Sequence, residues 1–325
     1  MQKILLTFLI LLFVTEVSGQ FAPQAGLSGS TAIPASSTLI KDWAHYITID
    51  RGYINAADTT LTVDSSNRAT YGDKTAALGP ADGKVISLGD GGSATIFIPQ
   101  GIYNGPGYDF VVFENGFRST TDSNLAFLEL AFVEVSNDGK NFVRFPAISL
   151  TQDTVQIGSF GWLDARKIYN LAGKYIGGYG VPFDLGELSS QEIDLNNIHY
   201  IRITDVIGTI NPYLASYDSQ GHIINDPFPT PFPSCGFDLD AVGLININHP
   251  AQIKIFPIPT KGLINIISGK NILQILIIDN QGKIIYKSQP NVKFFKINLS
   301  QIQSGLYFCI IKTKNQTFCR KLIKI

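Results

Sequence analysis

Apolar residues along this chain come in short runs closed by Gly, Pro, Asn or Asp. That is the pattern of strands and tight turns, not of long helices. Gly105-Pro106-Gly107 leads into the strand formers Tyr108 to Phe113, and Glu114-Asn115-Gly116 closes the run. Ala94 to Ile98 follows the turn Gly89-Asp90-Gly91-Gly92-Ser93. That glycine loop lacks the Gly-Lys-Ser/Thr ending of a phosphate cradle, and it enters a strand where a cradle would enter a helix. Leu125 to Ser136 predicts a long strand, Asn137-Asp138-Gly139-Lys140 a hairpin turn, and Phe142 to Phe145 the return. Asn and Gly tolerate the positive φ that such turns need. His199 to Val206 reads as a buried strand, and Gly236 to Ile247 closes the first unit. Two segments break the pattern. Leu163 to Tyr175 predicts a short helix ended by Gly177 and Gly178. Tyr213 to Cys235 is a long loop, held extended by Pro227, Pro229, Pro231 and Pro233.

The pattern changes after His249-Pro250. Ile and Lys then alternate over short strands to Ile325, as in a small antiparallel sandwich of about seven strands. At the other end, Lys3, the apolar stretch Ile4 to Val14 and the small residues Val17-Ser18-Gly19 form a secretory leader. Cleavage after Gly19 leaves Gln20 first, and no Cys follows to carry a lipid. No later run is long enough for a transmembrane helix. The expected organisation is a leader at 1–19, a β-sandwich at 20–248, a linker at 249–252 and a C-terminal unit at 253–325.

Charge sharpens this division. Residues 20–250 hold 24 acids against 12 Lys and Arg, whereas the segment after 250 holds 12 Lys and Arg against Asp279 alone. The first unit, at −12, suits cations and argues against nucleic acid; the second, at +11, is a different surface.

The acids also carry the candidate chemistry. Asp109 and Glu114 bracket an apolar strand, with Asn115 beside Glu114. Asp238 and Asp240 stand two apart in Gly236 to Gly243, so on a regular strand they share a face, and Asp205 ends another strand. Carboxylates beside apolar runs are seldom buried unless paired or metal-bound. Hard oxygen donors of this kind suit Ca²⁺. Three readings stand: Asp109, Glu114, Asn115, Asp205, Asp238 and Asp240 share Ca²⁺; they cap turns at sheet corners; or Glu114 with Asp238 or Asp240 forms the carboxylate pair of a glycan-active hydrolase or lyase. No nucleophile elbow or metal-hydrolase motif accompanies the third. His45, His199, His222 and His249 are scattered and no CxxC occurs, so zinc is not expected. Cys309 and Cys319 flank a turn near Lys314, which puts them opposite one another; they are either a cross-strand disulfide or two small apolar side chains, and Cys235 is left alone. The loop aromatics Tyr213, Tyr217, Phe228 and Phe232 either stack on sugar faces or anchor the loop on the core.

Three resemblances extend this reading. The hairpin from Val133 to Phe145 is similar to one common in galactose-binding-like jelly rolls of the discoidin type. Residues 20–248 resemble a class of bacterial secreted or surface proteins through Asn104 to Asn115 and Gly236 to Gly243. Residues 253–325 resemble the type A C-terminal sorting domain of the type IX secretion system of Bacteroidetes. The marks are a proline-rich start, the Asp279-Asn280-Gln281-Gly282 turn, Leu299-Ser300 with Ile302, Gly305 and Tyr307, and a basic last strand. Pro257-Ile258-Pro259 departs from the family's usual Pro-Asn-Pro. Together these imply an all-β protein: a jelly-roll-like sandwich, then a small immunoglobulin-like sandwich that engages the type IX machinery. The resemblances imply export, with the protein secreted or held on the outer cell surface; the expectation of a binding or adhesion protein with an extracellular glycan as partner comes from the acids and the loop aromatics instead.

Overall fold

A computed structural model describes residues 21–247, 253–314 and 317–325. The leader at 1–19 and the linker at 249–252 lie outside the described residues. The protein is all-β: among the described residues the only helical turns are two short 3-10 segments, Ala165–Lys167 and Leu185–Leu188.

The first unit rests on seven principal strands: β1 (Ile47–Asp50), β2 (Ser93–Ile102), β3 (Phe110–Glu114), β4 (Ala131–Ser136), β5 (Tyr179–Phe183), β6 (Ile198–Asp205) and β7 (Asp238–Leu244). One sheet runs β5-β3-β7, with Ile33–Pro34 added on β5 and Asp42–Trp43 and Ile86–Ser87 on β7. The other runs β4-β6-β2-β1, with Val143–Arg144 at its edge. All these pairings are antiparallel. From β2 to β7 the chain changes sheet at every step, the jelly-roll manner of building a sandwich.

Alternation along the strands fills the space between the sheets. Phe110, Val112, Leu239, Val242 and Leu244 from one side meet Ile96, Ile98, Val133, Val135, Ile201 and Ile203 from the other. The intervening residues Val111, Phe113 and Ala241 form a second apolar layer with Ile33, Ile40, Trp43 and Tyr108. β3 and β7 are therefore covered on both faces. This accounts for their nearly unbroken apolar sequence, and it means that the acids at their ends are buried with them.

Two expected elements differ. The strand expected over Leu125 to Ser136 is broken into Leu125–Phe127 and Ala131–Ser136, with Leu128-Glu129-Leu130 between them. The helix expected over Leu163 to Tyr175 does not form. Leu163–Asp164 and Ile168–Tyr169 are short strands that flank a single 3-10 turn. Asp164 caps that turn by accepting from the Arg166 amide and holds the Arg166 guanidinium at 2.7 Å, while Leu163 and Ile168 pack in a satellite core. The hairpin at Asn137 to Lys140 is as expected, with Val135 opposite Val143.

The C-terminal unit is a sandwich of three and four strands, with Ile264, Ile266, Ile275, Ile277, Ile297, Leu299, Ile311 and Leu322 inside. Its last hairpin corrects the cysteine pairing. Cys309 lies opposite Arg320 and Cys319 opposite Ile310, one residue out of the expected register. A one-residue step turns a side chain to the other face. Cys309 is accordingly buried, Cys319 exposed, and both are free thiols.

Candidate functional site

The six acids and amides singled out in the sequence do not form one site. Asp109 and Glu114 stand at opposite ends of β3. The Asp109 carboxylate accepts from the Gly105 amide at 2.9 Å, the Leu185 amide at 2.7 Å and Asn246 Nδ2 at 2.7 Å, tying three segments together. Asp240 is the extra residue of a bulge in β7, since Leu239 faces Glu114 and Ala241 faces Phe113. Its carboxylate accepts from the Asp82 amide at 3.1 Å and from Gly83. Asp109 and Asp240 thus hold corners of the fold.

Glu114, Asn115 and Asp238 do come together. Asn115 Nδ2 donates to Asp238 at 3.1 Å, and the Ser87 hydroxyl donates to its other oxygen. Glu114 accepts from the Gly116 amide at 2.7 Å through Oε2, while its Oε1 is buried with no donor among the described residues. Gly116 has to be glycine for this approach, because a Cβ there would sit 2.8 Å from Glu114 Oε2.

The structure adds Glu129, Asp226 and Asp90, acids that the sequence did not bring forward as ligands, and sets Asp205 among them. Glu129, in the break between two strands, feels repulsion from Asp238, Glu114, Asp226 and Asp205 at once. Asp205 accepts from the Gly91 amide at 2.9 Å and the Phe237 amide at 2.6 Å. Asp226 accepts from the Leu130 amide at 2.9 Å, and Asp90 from the Ala56 amide at 2.7 Å. Glu129 therefore links the Glu114–Asp238 end to the Asp205–Asp226–Asp90 end. Its signal in the sequence was an acid between two leucines, Leu128 and Leu130, both of which are buried.

All of these acids are buried, and none is ion-paired with Lys, Arg or His among the described residues. Burial is the first cause of their shifted ionisation and repulsion the second. Glu114 is held well above the usual carboxylate range by desolvation and then by Asp238, and Glu129 likewise. Desolvation also raises Asp205 and Asp226, with Asp90 opposing ionisation of both. Asp90 and Asp238 are each pushed up to about 6. Arg51, the nearby cation, spends its donors on the carbonyls of Tyr71, Gly72 and Ser87 and relieves Asp238 only at a distance. Such a group of acids either shares protons or takes up a cation. Among the described residues no three His, Cys, Asp or Glu side chains are gathered closely enough to enclose one.

Next to Glu114 and Glu129 the chain exposes a strip of rings. Phe117 stacks on Phe127 with centroids 5.1 Å apart and meets Trp162 edge-on at 5.8 Å. Phe127 lies 6.4 Å from Phe160, which lies 5.8 Å from Phe232. Phe160 is 70% exposed and Phe117, Trp162 and Phe232 are exposed as well. Of the four loop aromatics chosen from the sequence, Phe232 belongs to this strip. Phe228 is buried and anchors the loop, Tyr217 bonds the Pro212 carbonyl, and Tyr213 stands free in solvent at 94%.

Comparison with known proteins bears on the two units differently. No curated protein is similar to the chain. Among solved structures the chain is similar to β-glucuronidase 3 of Bacteroides uniformis, at 12% identity over 89% of this chain and 34% of that one, with a TM-score of 0.22. It is also similar to a Ruminococcus gnavus β-glucuronidase bound to uronic isofagomine, at 8% identity over 94% and 45%, with a TM-score of 0.21. A third is the BSP domain of a biofilm-associated protein, at 10% over 89% and 53%, with a TM-score of 0.18. The chain spans between a third and about half the length of these proteins, and likeness at this level carries no argument about activity. Residues 254–325 match the family model described as the secretion system C-terminal sorting domain. No helix among the described residues is long and apolar enough to cross a membrane. The sorting domain implies the type IX secretion machinery as partner, and the protein is exported, to be secreted or attached at the outer cell surface.

Proposed function

We propose that the first unit is an extracellular glycan-binding module and that the strip Phe117, Phe127, Trp162, Phe160, Phe232 is its contact surface. One observation carries the reading: five rings follow one another across an exposed surface of an exported protein. Flat apolar rings spaced by about the width of a sugar ring suit the apolar faces of successive sugars, and they supply contact area at low entropic cost. The buried acids are the support behind this surface. Glu114 and Asp238, with Asn115 beside them, are the side chains on which a Ca²⁺ would draw, and it would answer the uncompensated charge and the unmet Glu114 oxygen without a closed cage of three acids. A catalytic role for Glu114 with Asp238 or Asp240 is disfavoured because the three carboxylates are 1%, 7% and 2% exposed and a substrate does not reach them.

The test is retention on immobilised polysaccharides. Trp162→Ala and Phe160→Ala should each lower retention at least tenfold; Phe160, 70% exposed, should do so with no fall in melting temperature, and Trp162, 42% exposed, with at most a small one. Unchanged retention in the double variant overturns the contact surface. Release of shortened sugars in place of retention overturns the binding reading in favour of an enzyme.

A further inference from the structure

Away from the acids and the strip, a cavity of about 310 Å³ holds a lysine in an unusual position. Lys174 is 4% exposed, and among the described residues no carboxylate lies within ion-pair distance of its ammonium. The acid that acts on it most, Asp164, already holds Arg166 at 2.7 Å. The Lys174 ammonium instead lies 5.3 Å from the centre of the Tyr175 ring. A buried cation without a counter-charge is costly and is uncommon unless something completes it. Burial accordingly pushes the amine down to about 8.

The rest of the wall shows what completes it. Tyr108, Tyr169 and Tyr175 line the cavity. Glu187, also on the wall, accepts from the Tyr169 hydroxyl at 3.0 Å and from the Asn170 amide. Asn170 itself sits at a φ of +50°, a left-handed conformation that asparagine tolerates. A lone amine asks for one negative charge. Tyrosine rings ask for a flat, partly apolar body, and the Glu187–Asn170 pair offers polar oxygens to hydroxyl groups. Glu187 also opposes a second negative charge, which disfavours phosphate or sulfate.

We propose that this cavity binds an acidic monosaccharide unit, a uronic acid. Its carboxylate meets Lys174, its ring lies against the tyrosines, and its hydroxyls meet Glu187 and Asn170. The inference is independent of the aromatic strip, which lies on other segments, so either can fail alone.

The experiment is calorimetric titration of the mature full-length chain with glucuronate, galacturonate, glucose, acetate and sulfate. At least one uronate should bind ten or more times more tightly than glucose, acetate or sulfate. Lys174→Met should cut that affinity at least tenfold, and Lys174→Arg should restore part of it. Lys174→Met should also melt no lower than the parent, because it removes an unpaired buried charge. Equal binding of uronate and glucose, or full affinity in Lys174→Met, overturns the role of the amine. Acetate or sulfate binding as tightly as uronate overturns the sugar and leaves a bare anion hole. Binding of none of the five overturns the site. If Lys174→Met does not fold, Glu187→Gln decides: it should weaken uronate and leave acetate unchanged, and equal loss of both overturns the proposal.

Discussion

Asp238→Asn is the substitution that most directly tests the buried acids. In the folded protein Asp238 is pushed up to about 6, from an ordinary 3.8, because burial penalises its charged form more than Ser87, Asn115 and Arg51 favour it. In the unfolded chain it titrates normally. Below about pH 4 both states hold the proton, and the group imposes no penalty. Between pH 4 and 6 the unfolded chain loses its proton first, so stability falls as pH rises. Above 6 the penalty is complete. Two units at about 1.4 kcal/mol each amount to roughly 3 kcal/mol. For a unit of this size that is about 6–12 °C in melting temperature. Asparagine keeps the shape, and the Ser87 hydroxyl can turn round to accept from the new amide. In EDTA, Asp238→Asn should therefore match the parent at pH 4 and melt several degrees higher at pH 7.5. Calcium at 100 times its dissociation constant would raise the parent by ~2.7 kcal/mol. It should do so at pH 7.5 and have much less effect on the variant. The assay is thermal unfolding followed by circular dichroism from pH 4 to 8, with EDTA or calcium. A parent whose melting temperature does not fall over this range in EDTA refutes the electrostatic reasoning. A variant that melts lower than the parent at pH 7.5 refutes the claim that the buried charge outweighs its hydrogen bonds. A parent indifferent to calcium removes the metal and leaves shared protons.

Two further predictions use other parts of the fold. Gly173→Ala puts a Cβ 1.9 Å from the Glu129 carbonyl oxygen at a φ of +82°, and should cost about 3 kcal/mol or more by chemical denaturation, where a loss under 1 kcal/mol would show that the loop can move away. In the native protein a maleimide should label Cys319 alone, and all three cysteines should label after unfolding without reductant; one labelled thiol after unfolding would mean that Cys309 and Cys319 are joined after all.

The strands and their turns were legible because each carries a local signal. Asn137-Asp138-Gly139 names its own turn, and the apolar runs at β3 and β7 name buried strands. The site was legible only in part. Glu114 and Asp238 stood out beside apolar runs, and they do converge. Asp109 had the same local signature, but its strand direction carries it to the other end of the sheet. Asp240 was set apart from Asp238 by a bulge, which changes what a spacing of two residues means and cannot be seen in spacing alone. Glu129 lay inside the strand expected over Leu125 to Ser136, and the break at Leu128-Glu129-Leu130 that sets it among other acids carries no local signal. The aromatic strip is drawn from segments near residues 117, 127, 160 and 232, so no window of sequence contains it. The failed helix at Leu163 to Tyr175 has the same origin: packing of Leu163 and Ile168 in a satellite core outweighed local propensity.

The two sandwiches are wired differently, and the wiring sets how fast their strands can pair. In the first, neighbours in space are far apart along the chain: Phe110 pairs with Leu244, and Ser93 with Thr204. In the second, two of the pairings are plain hairpins, Gln274–Ile278 with Ile284–Ser288 and Gly305–Lys312 with Thr317–Lys324. Closing long loops before any contact rewards them is slow, and hairpins close quickly. The tail's hairpins are thus built to close faster than the long-range pairings that hold the first sandwich together.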